Sequence, residues 1–302
     1  MVRIGVDVGG TKLEAIAIDA AGAVLARRRV ASPSHDYAQL VAAVTALVAG
    51  LEGELGVRAR VGVGTPGAVS SLTGRIKNAN STQLNDRPFA QDLARALDRE
   101  VRIDNDANCF ALSEASDGAG AGRGLVFGVI LGTGVGGGIV DDGRIRVGAN
   151  AIAGEWGHNE MPARVEAGLP DLRCYCGRRR CIETFVSGPG LAADHRRAVP
   201  ASSPSLDAAA IVALAKGGDA EARATMARFY ERLAAALATV VNVLDPDVVV
   251  LGGGLSNIEP LCDELRTRLP AHVFSDGFAT PVVRNRHGDA SGVRGAAWLW
   301  PA

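Results

Sequence analysis

A histidine, His158, is followed after a short insert by three thiols, in the run Cys174-Tyr175-Cys176-Gly177-Arg178-Arg179-Arg180-Cys181-Ile182-Glu183. One imidazole and three thiolates make a full tetrahedral set for zinc. A closed site of this Cys3His type is structural, because no position is left for a reacting water. The same residues admit two other readings, a disulfide within the Cys-x-Cys pair or small buried hydrophobes. Of five cysteines, three fall in this cluster, while Cys109 and Cys262 stand alone and read as packing residues. In an intracellular chain such clustering favours metal over disulfide. Glu155, in Gly154-Glu155-Trp156-Gly157-His158, and Glu183 bracket the cluster. If His158, Cys174, Cys176 and Cys181 converge on one ion, both carboxylates are drawn to one side of a polar pocket braced by the metal.

The elements that must hold such a pocket read as strands opening into glycine. Residues 2–8 form a short apolar run ending in Asp7-Val8-Gly9-Gly10-Thr11-Lys12, and the apolar pattern resumes at Leu13. The paired glycines let backbone amides face an anion, with the Thr11 hydroxyl and the Lys12 cation beside them. Read alone, these four residues fit a plain hairpin turn before they fit a phosphate cradle. The strand Leu125 to Leu131 repeats the logic, opening into Gly132-Thr133-Gly134-Val135-Gly136-Gly137-Gly138. Two such hairpins suggest a duplicated domain whose glycine loops face each other across a cleft, with room for a nucleotide's phosphates. A third strand end opens into Gly252-Gly253-Gly254. Bare backbone there could accept an adenine ring or serve a tight packing turn equally well.

Further strand ends carry polar groups. Residues 60–63 lead into Gly64-Thr65-Pro66-Gly67, whose turn residues hold backbone close to a ligand. A polar loop, Lys77-Asn78-Ala79-Asn80-Ser81-Thr82, follows, and residues 101–103 deliver Asp104-Asn105-Asp106 to the start of a helix over 107–115. Ligands in open α/β sheets bind beyond the carboxyl ends of strands. An aspartate there can also simply cap the helix. Helices are predicted over 37–55, 89–97, 206–216, 220–244, 260–269 and 288–300. Trp298 and Trp300 read as packing the last of them onto a domain.

Composition bounds the class. With 302 residues and 47% hydrophobic content, the chain can fill two cores. A formal net charge of −1 argues against a nucleic-acid or membrane-surface binder. No signal peptide and no uninterrupted apolar run of membrane-spanning length is evident, so the expected location is cytoplasmic.

In order and spacing, Asp7 to Lys12, Gly64 to Gly67, Asn105 to Asn108, Gly132 to Gly138, Gly154 to His158, Cys174 to Glu183 and Val248 to Asn257 resemble the ROK family of sugar kinases and repressors. These are members of the actin-like, hexokinase-related ATPase superfamily, and the resemblance covers essentially the whole chain. It implies an α/β fold of two ribonuclease-H-like domains flanking a cleft: residues 1–118, completed by the helix 288–302, and residues 119–287, which carry the zinc stretch 154–183. It also implies roles. Asp106 is the base that takes the proton from a sugar primary hydroxyl, and Thr65, Gly67, Asn80, Asn105, Glu155, His158 and Glu183 hold the sugar. ATP is cradled by Gly5, Asp7, Gly9, Gly10, Thr11 and Lys12 and by Thr133, Gly134, Gly136, Gly137 and Gly138, with Gly252, Gly253 and Gly254 near adenine. Asp7 holds Mg2+ through water. Zn2+ on His158, Cys174, Cys176 and Cys181 is structural, turning the other ring nitrogen of His158 toward the sugar. A homodimer is the expected assembly. Relatives usually have glycine where this chain has Arg180, which puts the turn geometry in question and leaves the ligand set intact. The arginine run itself reads as a solvated loop.

Residues 77–82, 154–159 and 286–300 look most like bacterial fructokinases of the fructokinase/mannokinase type. The expected reaction is ATP-dependent phosphorylation of a hexose 6-hydroxyl, fructose first, with mannose or glucose secondary. An N-acetylhexosamine kinase is the alternative, since residues 105–114 and 132–138 suit that branch equally. A sugar-responsive repressor is disfavoured: such relatives carry a DNA-binding helix-turn-helix ahead of the first strand, which here begins at Val2, and the charge is near neutral. A catalytically dead sugar-binding module is disfavoured by Asp106 and the two glycine loops.

Overall fold

Val8 faces Leu13 across the first turn, closing strand β1 (Arg3–Val8) onto β2 (Lys12–Ile18) as an antiparallel hairpin. This computed structural model describes residues 1–301 except Ser34, Asn80, Glu166 and Ala167. β3 (Val24–Ala31) extends the hairpin antiparallel to β2. It was not legible in sequence, because only Ala26 of its residues is buried and no apolar alternation marks it. Helix α1 (Tyr37–Leu55) follows, and its buried stripe is Leu40, Val44, Leu47, Val48 and Leu51, the face expected from helical spacing. α1 is long and apolar enough to cross a membrane, yet that stripe belongs to the core of the first sheet. Asp36 caps its start by accepting from Gln39 N, and Gly56 ends it in the left-handed conformation.

Next come β4 (Arg60–Thr65), the short antiparallel pair β5 (Ala68–Val69) and β6 (Ile76–Lys77), α2 (Phe89–Leu97), β7 (Val101–Asn105) and α3 (Asp106–Ser116). The sheet order is β3-β2-β1-β4-β7. β4 lies parallel to both β1 and β7, in a register that sets Asp7 beside Gly64 and Thr65 beside Asn105. One sheet edge therefore gathers three strand ends that sequence had marked separately.

The second sheet contains β8 (Leu125–Leu131), β9 (Val135–Asp141) and β10 (Arg144–Ile145). After α4 (Glu183–Val186), α5 (Gly188–Ala198), α6 (Ala208–Lys216) and α7 (Ala220–Leu244), it gains β11 (Val248–Gly252); α8 (Leu261–Arg268) and β12 (Val282–Arg284) follow. Its order, β10-β9-β8-β11-β12, repeats the first: three consecutive strands reversed, then two later ones. β11 is buried throughout, as expected for a strand paired in parallel on both sides. Helices α4 and α5 were not anticipated. α5 opens on Ser187, which accepts from Gly190 N, and carries Pro189 in its first turn.

The last helix, α9 (Ser291–Trp298), preceded by a 3-10 turn over Gly288–Ala290, packs in the first unit. A Cβ on Gly5 would stand 2.1 Å from Val293 O, one on Gly62 1.8 Å from Ala296 O, and one on Gly295 1.6 Å from Cys109 O. Bare backbone at these points is what lets α9 lie against the sheet and α3. Trp300 donates its indole N–H to Val61 O at 2.7 Å, and Arg3 lies 4.0 Å from the Trp298 ring centroid. Both tryptophans thus do the packing expected of them.

Two compact units result: Met1–Gly124, Gly138–Ala153 and Arg286–Ala302 in one, Leu125–Gly137 and Gly154–Asn285 in the other. This division differs from boundaries at 118 and 287 by carrying 119–124 and 286–287 into the first unit and, above all, by assigning 138–153 to it. The reason is contact with α3: a Cβ at Gly138 would lie 2.6 Å from Ala107 O and 2.9 Å from Ala111 Cβ.

Candidate active site and metal centre

In the first unit the polar groups collect where β1, β4 and β7 end. Asn105 caps α3, its Oδ1 accepting from Ala107 N at 2.9 Å, so Asp106 is the first helical residue. The capping role open to Asp106 is thus filled by its neighbour, although Asp106 Oδ1 also accepts from Ala107 N, at 2.8 Å. Asp106 is exposed. Asn105 Nδ2 donates to Gly67 O at 3.3 Å, tying the two strand ends together. Gly67 has φ +100°, and a Cβ there would press on Lys77 O at 2.6 Å, so only glycine fits. Thr65 is fully buried, its hydroxyl 3.5 Å from Asp104 O.

Asp104 is a positioning residue that sequence reading passed over. One of its oxygens accepts from Asn105 N at 2.8 Å and from Asn108 Nδ2 at 2.7 Å. The signal was the i, i+4 spacing of Asp104 and Asn108 across a helix start. The loop after β6 is held by Asn85, which accepts from Ala79 N at 2.8 Å and donates to Ala79 O at 3.0 Å. Asn80, expected to touch sugar, lies outside the described residues.

Gly9 N donates to Lys12 O at 3.0 Å in the turn between β1 and β2, while Gly10 and Thr11 are exposed. Gly5, expected to touch nucleotide, packs beneath α9, and Gly138, of the same expectation, packs against α3. In both cases a close-packed neighbour accounts for the missing side chain. Asp7 is pushed up to about 6, first by burial and then by the Asp106 and Glu14 carboxylates, with Lys12 opposing. The folded chain therefore holds this proton between about pH 4 and 6, and stability falls as pH rises through that window. Asp7→Asn removes a disfavoured charge. We expect a gain of about 1–2 kcal/mol at pH 7.5, read as a higher Tm, that disappears below about pH 4. An unchanged or lower Tm at pH 7.5 contradicts this account.

In the second unit the loop between β8 and β9 meets Glu183. Val135 N donates to Glu183 Oε2 at 2.9 Å, and a Cβ on Gly134 would stand 2.7 Å from the same oxygen. The glycine loop and the carboxylate at the start of α4 are thus one assembly. Thr133 is exposed, and the Trp156 indole donates to Gly136 O at 2.9 Å beside Gly137. Glu155 is exposed next to the buried Trp156. Gly253 and Gly254 are exposed at the end of β11, with Gly252 buried.

The His158, Cys174, Cys176 and Cys181 ligand atoms all lie within 4.8 Å of one another. His158 Nδ1 is 3.7 Å from Cys174 Sγ, and Cys176 Sγ is 3.6 Å from Cys181 Sγ. Tetrahedral ligands at zinc–sulfur distances of about 2.3 Å are about 3.8 Å apart, so the set fits the ion. No disulfide forms in the Cys-x-Cys pair or elsewhere: all five cysteines are free thiols. The other ring nitrogen departs from expectation: His158 Nε2 is 3.2 Å from the Tyr175 hydroxyl, the two rings meeting edge to face.

The arginine run is more than a solvated loop. Arg178 donates to His158 O at 3.4 Å, Arg179 pairs with Asp171 and Arg180 lies 3.5 Å from Glu160. Arg180 sits at φ +58°, a conformation that favours glycine. Its backbone N–H donates to Leu172 O and its carbonyl accepts from Met161 N, so the turn closes with arginine in place.

The repeated strand order and these strand-end clusters define a duplicated α/β protein of the actin/hexokinase-like ATPase fold. Residues 3–302 match the ROK family, and the chain belongs to it. It is 42% identical over 301 residues, covering 98% of both chains, to an N-acetyl-D-glucosamine kinase of Shigella flexneri serotype 5b. Among solved structures it resembles a ROK hexokinase from Thermus thermophilus, with TM-score 0.85 and 31% identity over 99% of this chain and 97% of that one. It also resembles a ROK family glucokinase from Streptomyces griseus in complex with glucose and AMPPNP, with TM-score 0.80 and 28% identity over 99% of both chains.

Proposed function

We propose that this protein transfers the γ-phosphoryl group of ATP to the 6-hydroxyl of an N-acetylhexosamine, N-acetylglucosamine first. The observation that carries the choice of sugar is the 42% identity, over 98% of both chains, with N-acetyl-D-glucosamine kinase. It supports the alternative weighed in sequence over fructose. The fructose reading keeps one support, the likeness of residues 77–82 and 154–159 to fructokinases.

Phosphoryl transfer asks a protein for positioning and charge neutralisation more than for covalent chemistry. Asp106, exposed at the first turn of α3, accepts the proton of the attacking hydroxyl. Asn105, Thr65 and Gly67 order the strand ends around it, and Glu155 and Glu183 offer partners to sugar hydroxyls. The exposed turn at Gly10 and Thr11 and the Thr133-Gly134 turn offer backbone and hydroxyl to phosphate, and Gly253 and Gly254 leave bare backbone for adenine. Mg2+, held through water at Asp7, supplies charge neutralisation when bound. Zinc on the four-ligand set braces the loop that carries His158 and leaves the proton and phosphoryl steps to other groups.

The test is ADP release with Mg-ATP, comparing kcat/KM for N-acetylglucosamine and fructose. A preference of about tenfold or more for the acetylated sugar is expected, the scale that a few pocket contacts provide. Preference for fructose keeps the kinase and replaces the substrate, whereas no turnover with either overturns the reading.

A further inference from the structure

At the end of the first sheet away from Asp7 and Asp106, where β1, β4 and β7 begin, lies an open cavity of about 600 Å³. Its lining includes Arg58, Arg60, Arg99, Glu100, Arg102 and Trp300. Four guanidiniums and one carboxylate, Glu100, therefore face one hollow. Their pairing is uneven. Arg99 is committed to Glu52, with contacts of 2.5 and 2.9 Å. Arg58 donates to Asp98 O at 2.7 Å and has only a 3.9 Å approach to the Asp98 carboxylate, which is fully exposed. Arg102 donates to Leu299 O at 2.7 Å and is 3.7 Å from the exposed Glu100. Arg60 lies with its guanidinium 4.8 Å from the Trp300 ring centroid, and Arg102 lies 3.9 Å from the same centroid.

The indole is itself fixed, buried and bonded to Val61 O. Two cations are therefore held on one rigid ring, and stacked guanidiniums keep their N–H edges free to point at an oxyanion. Arginine forks match phosphate oxygens in pairs, and the volume suits a small metabolite. We propose that this cavity is a binding site for a small phosphorylated metabolite, separate from the strand ends that carry Asp7 and Asp106. Its phosphate sits between Arg58, Arg60 and Arg102, and Arg99 and Glu52 form a neutral floor. The site makes binding sensitive to salt, since each partner is partly in solvent.

The experiment is calorimetric titration of the full chain with inorganic pyrophosphate and, separately, with glucose 6-phosphate, at low salt. The wild type is compared with Arg60→Gln and with Arg58→Gln/Arg60→Gln, while Tm and kcat/KM of each are recorded. None of these side chains touches the residues assigned to catalysis. We expect a saturable binding class that weakens by about tenfold in the double variant, with kcat/KM unchanged and Tm within a few degrees. Binding of both probes points to the phosphate alone as the recognised group, and binding of glucose 6-phosphate only adds its sugar. Identical isotherms for wild type and both variants, or no saturable class for either probe, overturn the proposal. So does a basic face that captures duplex DNA or anionic vesicles while ignoring both small probes. If the double variant loses Tm, the single Arg60→Gln decides: among the described residues the Arg60 side chain rests on the Trp300 face, so unchanged affinity there rejects the site.

Discussion

Asp106→Asn lowers kcat by about 10³-fold, within the range expected for loss of a general base, and leaves sugar affinity within about threefold. The structure makes this substitution discriminating. Asn105 already caps α3 through Ala107 N, so the cap survives when Asp106 loses its charge. A carboxylate in the first turn also interacts with the helix dipole, worth about 0.3–1 kcal/mol. A purely structural Asp106 therefore predicts a small fall in Tm and an intact rate. Steady-state kinetics, with sugar binding measured separately by calorimetry, separate the cases. Unchanged kcat removes Asp106 from the mechanism, and affinity lost in proportion to rate moves it to sugar binding.

Cys176→Ser is expected to abolish stoichiometric zinc and to lower Tm by several degrees. Structural zinc is worth about 10 kcal/mol or more in small domains that fold only around the metal. Here the gain is partial, because the second unit has its own core in β8, β11 and α7. What a metal on these four ligands would organise is the loop itself. Cys174 and Cys181 are buried, Cys176 is exposed, and the turns between them close through Cys174 N to Arg178 O and Arg180 N to Leu172 O. Glu183 follows two residues after Cys181 and accepts from Val135 N, so slack in the loop reaches a carboxylate assigned to sugar. Sugar KM should rise more than ATP KM. Metal analysis, Tm and the two KM values check this together; full activity in a zinc-free variant would falsify the bracing role.

How legible the molecule was depends on which force wrote each element. The buried stripe of α1 could be read residue by residue, because burial on one helix face imposes a 3.6-residue period on the sequence. The parallel strands β8 and β11 were equally clear, since both faces are covered and the apolar run is continuous. β3 was invisible for the opposite reason: a strand with one buried residue leaves hardly any pattern, and its pairing with β2 is a property of the sheet. Glycines were the most deceptive. Gly5 and Gly138 carry the same letter as Gly9 and Gly134, yet they serve helix contacts, because a missing side chain records a close approach without recording to what.

The sequence by itself determined the repeated strand–glycine–strand plan, the membership of the His158, Cys174, Cys176 and Cys181 cluster, and the placing of Asp106 at a strand-to-helix junction. All three are local in chain order or fixed by chemistry: an apolar run, a ligand type, a turn residue. Only the tertiary structure decided that Asn105 rather than Asp106 caps α3, and that Glu183 is anchored by the β8–β9 loop. It alone placed Tyr175 against the second nitrogen of His158 and stacked Arg60 and Arg102 on Trp300. Each of these joins groups through distance and direction in space, and a carboxylate reaching a backbone N–H in another segment leaves no period in the sequence to be read.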